Sequence, residues 1–233
     1  MRTEGRAFWT VVLVLCAIAV AASLRRLFAL AHPVDPGANP MRSLDALFLA
    51  KAALTRTHVI AGLALATSIP LQLSSALRGR MPRVHRWIGR AFLAAALVVA
   101  MTGYAMVVVP VGGWLEVSAI LFYATAFAAA LVVAWRRIRA RDIDGHREWM
   151  LRAIAIVLGI ATTRPVVAVF FATRRVTGLA PDQFFGVAFW IGFTATAAAG
   201  EWYVRKTRRR PDRLHAHDLA RAQVSSSKLP TTR

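Results

Sequence analysis

The amino-acid sequence predicts an all-α fold, a polytopic transmembrane bundle of about six helices. Three observations favour this fold: 57% of the 233 residues are hydrophobic, the mean hydropathy is +0.50, and the apolar residues lie in blocks. Clusters of arginine separate the blocks, which is typical of polytopic membrane proteins. Because hydrocarbon offers the backbone no hydrogen-bonding partner, each block is expected to be a helix.

Six apolar blocks come close to the length of about 20 residues that crosses a bilayer core. The predicted spans are 7–24, 57–77, 91–109, 115–135, 153–171 and 184–204. Residues 1–24 are predicted to form an N-terminal transmembrane anchor. A cleaved signal peptide is the alternative, since the AVA at 19–21 resembles a cleavage site. The anchor is favoured because the apolar run is long and two arginines follow it.

The remaining segments have different characters. Residues 25–56 are predicted to form an outer loop, in which SLDALFLAKAAL suggests a short amphipathic helix at the membrane interface. Residues 57–204 form a five-span helical core. The basic and then polar tail, 205–233, is predicted to be disordered.

Charge predicts the orientation and excludes one class of partner. With the N-terminus inside, the inner segments carry 22 Lys and Arg residues and the outer segments carry 7. This asymmetry predicts that both termini are cytoplasmic. The net charge of +19 does not indicate nucleic-acid binding, because the cations lie between apolar blocks and suit lipid headgroups. The lipid bilayer is therefore the expected partner, and the single Cys16 excludes an internal disulfide.

Two histidines open predicted spans with a glycine four residues later. His58 and Gly62 lie at the start of the second span, and His85 and Gly89 at the start of the third. Residues four apart share a helix face, so each glycine leaves a flat slot beside an imidazole. A porphyrin, a quinone or a neighbouring helix could fill such a slot.

His85 and His146 are predicted to lie on the same, inner side, at the starts of the third and fifth spans. Two imidazoles from separate helices could bind the iron of one b-type haem, which makes this pair the candidate metal ligands. His58 lies most of a spanning helix away and could not share that iron. The alternative, more common for histidines at helix ends, is a structural role in the headgroup zone.

Arg164 is the one cation within a predicted span, directly before Pro165. An unpaired guanidinium there is costly, so it needs a partner. The proline frees the carbonyl of Ala161, which Arg164 could bind. Alternatively, Arg164 faces an anionic ligand such as a haem propionate, a role that Arg90 could share.

Two features of the last span predict contacts between helices. Glu201 lies near its inner end and is expected to pair with Arg90 or Arg152. Small residues recur every four positions, at Gly192, Thr196 and Gly200. This spacing puts them on one face and permits close helix packing.

Four stretches resemble a bacterial membrane family catalogued as domain of unknown function 2306. They are THVIAGLALATSIPLQL (57–73), PRVHRWIGRAFL (82–93), HREWMLRAIAI (146–156) and GEWYVR (200–205). The resemblance covers about 55–205 and implies a multi-pass protein of the bacterial inner membrane. The chain has IPLQL where the family typically has GPLQF. The histidines of the third and fifth spans also resemble, more loosely, those of cytochrome b561-type haem proteins. The fourth span has no histidine, so at most one such haem site is expected.

Two functional hypotheses follow. The first is a membrane redox protein that binds one haem b and exchanges electrons with a quinone or another redox partner. The second is a non-enzymatic protein, or a transporter of protons or small solutes, with an intramembrane ion-pair network. No nucleotide-binding loop, zinc-protease pair or nucleophile elbow occurs in the sequence, so hydrolysis and phosphoryl transfer are not expected. No catalytic residue is assigned.

Overall fold

The computed structural model describes residues 2–33 and 40–208. Within these ranges the chain forms helices and no strand, as predicted for an all-α protein. The helices are α1 (Arg2–Ala31), α2 (Pro40–Leu49), α3 (Ala52–Leu73), α4 (Ser75–Arg80), α5 (Pro82–Met106), α6 (Gly113–Arg139), α7 (Ile143–Thr177) and α8 (Pro181–Thr207). Most of the tail predicted to be disordered, 209–233, lies outside the described residues.

Six of the helices, α1, α3, α5, α6, α7 and α8, are long and apolar enough to cross a membrane. The six predicted spans are therefore confirmed. Most helices extend beyond the predicted block because hydropathy marks only the part that suits hydrocarbon. The fifth span begins at Ile143, which places His146 within α7.

The predicted outer loop, 25–56, is largely helical. α1 continues to Ala31 and α3 begins at Ala52, so the connection is short and contains α2. The stretch SLDALFLAKAAL is not one amphipathic helix, because a turn at residues 50–51 divides it between α2 and α3. The Thr55 hydroxyl lies 3.2 Å from the Phe48 carbonyl and joins the two helices across this turn.

Successive spans run in opposite directions, which gives the bundle two ends. At the α2 end, the Arg56 guanidinium donates to the Leu30 carbonyl at 3.1 Å and ties α3 to the end of α1. At the arginine-rich end, defined by residues 78–90 and 136–152, Arg152 Nε lies 2.7 Å from Glu201 Oε2. The predicted pairing of Glu201 with Arg152 is thus confirmed. Arg90 instead lies over the Trp87 ring at 4.9 Å.

α1 packs within the same bundle as the five spans of the predicted core. It contacts α3 and α7, and its Val12 and Cys16 side chains are buried. The Phe8 ring stacks on Tyr203 of α8, with ring centroids 4.4 Å apart. α1 therefore contributes packing area and is more than a tether to the membrane.

Among the described helices, α7 and α8 make the most extensive contact. A Cβ added to Gly192 would lie 2.7 Å from the Thr163 amide nitrogen and 3.0 Å from the Gly159 carbonyl oxygen. A Cβ added to Gly200 would lie 2.3 Å from the Ala155 Cβ. The small residues of the last span therefore lie at a close helix contact, where dispersion forces hold helices together in lipid.

We predict that Gly192→Ala lowers the melting temperature of the detergent-purified protein. The added methyl would push α7 and α8 apart, at a cost of about 1–3 kcal/mol. Gly103→Ala is the matched control, since a Cβ there meets no atom within 4 Å. Because alanine has a better helix propensity than glycine, this variant should be as stable as the wild-type protein or more stable by about 0.5–1 kcal/mol. Equal melting temperatures for the two variants would contradict the close contact.

Candidate functional site

A cavity of about 410 Å³ lies within the bundle toward the α2 end. Its volume falls in the range of about 300–1,000 Å³ that is usual for small-molecule sites. Every described helix except α4 contributes to its wall. The wall is mainly apolar and includes five phenylalanines, namely Phe48, Phe127, Phe185, Phe189 and Phe193.

Small residues make room for this cavity between α3 and α5. Gly62, Ala66, Ala100 and Gly103 all line it. A Cβ added to Gly62 would meet no atom within 4 Å. The flat slot predicted beside His58 therefore opens into the cavity and is not filled by a neighbouring helix.

Arg164 lines the cavity, although its position lies within a span. Among the described residues, its guanidinium makes no hydrogen bond and no ion pair. The charged groups close enough to interact with it are Arg25, Arg26 and His58. Of the two roles predicted for Arg164, binding of helix carbonyls is thus not observed in this part of the chain.

Arg25 and Arg26 also line the cavity, and the sequence reasoning missed them. Asp45 of α2 pairs with both, and its Oδ2 lies 2.6 Å from Arg25 Nη2. Arg26 also lies over the Phe48 ring, 4.0 Å from its centroid. These contacts hold α2 across the cavity, where Phe48 and the buried Leu44 form part of the wall.

A signal for these two arginines was present in the sequence. The apolar run LFALA (27–31) continues directly after them, which indicates that the helix does not end at Leu24. Arginines that flank a span usually mark its end, so the pattern alone predicts headgroup anchors. Continuation of the helix instead places them beside the protein interior.

His58 lines the cavity and hydrogen-bonds to α5, with Nδ1 2.8 Å from Thr102 Oγ1. The Thr102 hydroxyl also lies 2.6 Å from the Val98 carbonyl oxygen. Which atom donates between His58 and Thr102 depends on the imidazole tautomer. The His58 ring is also within hydrogen-bonding reach of the Val99 backbone, so α5 holds this side chain in the cavity wall.

Glu116 is buried at the start of α6 and anchors the turn that precedes it. Its Oε2 accepts the N–H groups of Val111 and Gly112, both at 2.6 Å. Lys51 lies nearby and donates to the Val109 carbonyl. Burial lowers the pKa of the Lys51 ammonium, and the charge of Glu116 opposes this shift. Glu116 also lines the cavity, and both of its bonds to the turn are accepted by the same oxygen, Oε2.

His85 and His146 lie at the arginine-rich end, near enough to each other for their charges to interact. His146 Nδ1 donates to the Ala134 carbonyl at 2.9 Å, an arrangement that is also typical of metal-binding histidines because it leaves Nε2 free. His85 Nδ1 is buried and has no hydrogen-bond partner within the described ranges. Both imidazoles therefore have a nitrogen that could bind a metal ion.

The slot beside His85 is nevertheless filled. A Cβ added to Gly89 would lie 3.7 Å from the side-chain amide of Gln72, whose Nε2 donates to the His85 carbonyl at 3.2 Å. A neighbouring helix thus occupies the slot. A porphyrin between His85 and His146 would require the Gln72 side chain to move out of this slot. Neither histidine lines the cavity.

The described residues also contain no group of three or more His, Cys, Asp and Glu side chains that could hold a metal ion. The predicted site residues lie in two regions. His58 and Arg164 line the cavity, whereas His85, His146, Gly89 and Arg90 do not. Arg164, which was predicted as a partner for a haem propionate, thus shares a region with His58 and not with His85 and His146.

A family model described as a predicted membrane protein, DUF2306, matches residues 55–204. The chain belongs to the DUF2306 family. No curated protein and no solved structure matches the chain. None of the comparisons supports the analogy with cytochrome b561-type proteins. The match to the DUF2306 family includes His58 and Arg164 but begins after Arg25, Arg26 and Asp45.

We predict that Glu116→Ala destabilises the protein strongly. Two buried backbone N–H groups would lose their acceptor, at about 1–3 kcal/mol each, and the melting temperature in detergent measures the loss. Glu116→Gln keeps an acceptor oxygen and should retain most of the stability. If the charge of Glu116 mattered more than its acceptor oxygen, both variants would be equally unstable.

Proposed function

We propose that this membrane protein binds a lipophilic small molecule in the cavity at its α2 end, in a non-enzymatic binding or transport role. The observation that carries the proposal is a mainly apolar cavity of about 410 Å³ whose polar groups include His58 and Arg164. Apolar walls with a few polar groups are typical of small-molecule sites. A cation within a span also indicates a functional site by default.

We infer that the arginine-rich end faces the cytoplasm of a bacterial inner membrane, with both termini on that side. The excess of 22 over 7 basic residues supports this orientation. The cavity then lies toward the outer leaflet. Its ligand would have an apolar body and an oxygen-bearing head group. A quinone and a fatty acid both meet this description.

We predict that the detergent-purified protein binds a neutral phenylnaphthylamine fluorophore and that Gly62→Phe weakens binding at least about tenfold. The new ring would occupy the cavity, and relief of the overlap would cost about 1–3 kcal/mol. Ala64→Phe is the matched control, because it adds the same ring to an exposed position of α3. Fluorescence titration gives the affinities. Absence of binding, or equal affinities for the two variants, would refute a lipophilic site in the cavity.

A b-type haem held by His85 and His146, for electron transfer, is our second proposal. Two observations support it: the Nδ1 of His146 is bonded to Ala134, which turns Nε2 away from this bond, and the Nδ1 of the nearby His85 has no partner among the described residues. The Gln72 amide in the slot beside Gly89 weighs against it. When bound, such a group would supply one-electron chemistry, and these two side chains would hold it.

If this second proposal holds, protein from haem-replete cells should show a reducible Soret band that His85→Ala abolishes. An absorption spectrum of the detergent-purified protein measures it. His32→Ala is the control, since His32 lies at the opposite end and its Nδ1 contacts the Phe28 carbonyl. Colourless wild-type protein would eliminate this proposal without affecting the cavity.

A further inference from the structure

The charges around the cavity are unbalanced. Arg25, Arg26 and Arg164 line it together, and the ion-pair partner of the first two is the single carboxylate of Asp45. Glu116 adds a second carboxylate, but the charge of the nearby Lys51 ammonium offsets it. Among the described residues, four cations and two carboxylates therefore lie in or beside the wall and leave two positive charges unmatched.

The unmatched charge is concentrated at Arg164. Asp45 holds Arg25 through two contacts, of 2.6 and 3.1 Å, and also binds Arg26. Arg164 has no such partner within the described ranges, so its N–H donors remain available. In a site with little water, an unpaired guanidinium is costly and an anion that pairs with it is bound strongly.

We propose that the cavity binds a single-chain anionic amphiphile, an alkyl carboxylate, with its carboxylate on Arg164 and its chain among the phenylalanines. Arg25 and Arg26 contribute positive potential next to the head group. This inference rests on the proposed function and names the ligand class. A planar guanidinium matches a carboxylate with two parallel hydrogen bonds.

The dimensions and the charge of the site discriminate between ligands. A volume of about 410 Å³ is near the lower limit for small-molecule sites, which suits one alkyl chain better than the two chains of a phospholipid. A quinone carries no charge and would leave the positive excess unmatched. The shared chemistry of the remaining candidates is an anionic oxygen attached to an apolar body.

The test is displacement of the neutral fluorophore by palmitate and by hexadecanol, which have chains of equal length. The wild-type protein should prefer palmitate by about tenfold to a hundredfold, the range expected for a charge-assisted hydrogen bond. Arg164→Gln should reduce this preference to near unity, whereas Arg164→Lys should restore part of it. Arg175→Gln is the matched control, because it removes an exposed cation from the end of the same helix.

Several outcomes would overturn the inference. Equal displacement by palmitate and hexadecanol, with the fluorophore still bound, would refute the anionic head group and leave the proposed function intact. Displacement by phosphatidylglycerol but not by palmitate would refute the single-chain assignment. A Soret band that His58→Ala abolishes would identify haem as the ligand instead.

A second measurement separates ligand binding from a structural role of Arg164. Because the guanidinium is unpaired, Arg164→Gln should raise the melting temperature of the ligand-free protein. Palmitate should raise the melting temperature of the wild-type protein and not that of this variant. If Arg164 instead stabilised the bundle, Arg164→Gln would lower the melting temperature, and palmitate would shift both proteins equally.

Discussion

Within the spans, every backbone polar group must find its partner in the chain itself, because hydrocarbon offers none. This constraint explains why the long elements are helices and why the connections between them use side chains. The turn before α6 has two N–H groups that no helix satisfies, and Glu116 supplies one oxygen for both. The turn before α3 depends similarly on Thr55, which is almost completely buried and contacts the Phe48 carbonyl.

The same scarcity of water governs the side-chain charges. At the arginine-rich end, Arg152 lies between Glu148 and Glu201, so its charge is matched on α7 and α8. At the α2 end, Asp45 matches only part of the charge of α1. Arg164 departs from this rule of local compensation. Burial of its charge within a span costs free energy that apolar wall residues do not. Packing alone therefore does not explain an arginine at this position.

The spans could be predicted from sequence because hydropathy is a local property of each block. The cavity could not, because it depends on which helix faces meet. His58–Gly62 and His85–Gly89 have the same spacing, yet Gly62 opens into empty space and Gly89 contacts Gln72. Nothing within either four-residue pattern distinguishes them. An ion pair of Glu201 with Arg90 or Arg152 was predictable because all three residues lie at the same end of their spans. The choice of Arg152 was not, because it depends on which helix faces meet.

Closure of the cavity and its charge are coupled through Asp45. This residue fixes α2 across the α2 end and also neutralises part of the charge of Arg25 and Arg26. Movement of α2 away from the bundle would therefore open the cavity and expose more positive charge at the same time. With α2 displaced, the positive potential would attract an anion most strongly, and the anion could then bind Arg164 in the cavity. The DUF2306 match includes Arg164 and most of the cavity wall but not α1 or α2, so closure depends on segments outside the matched region.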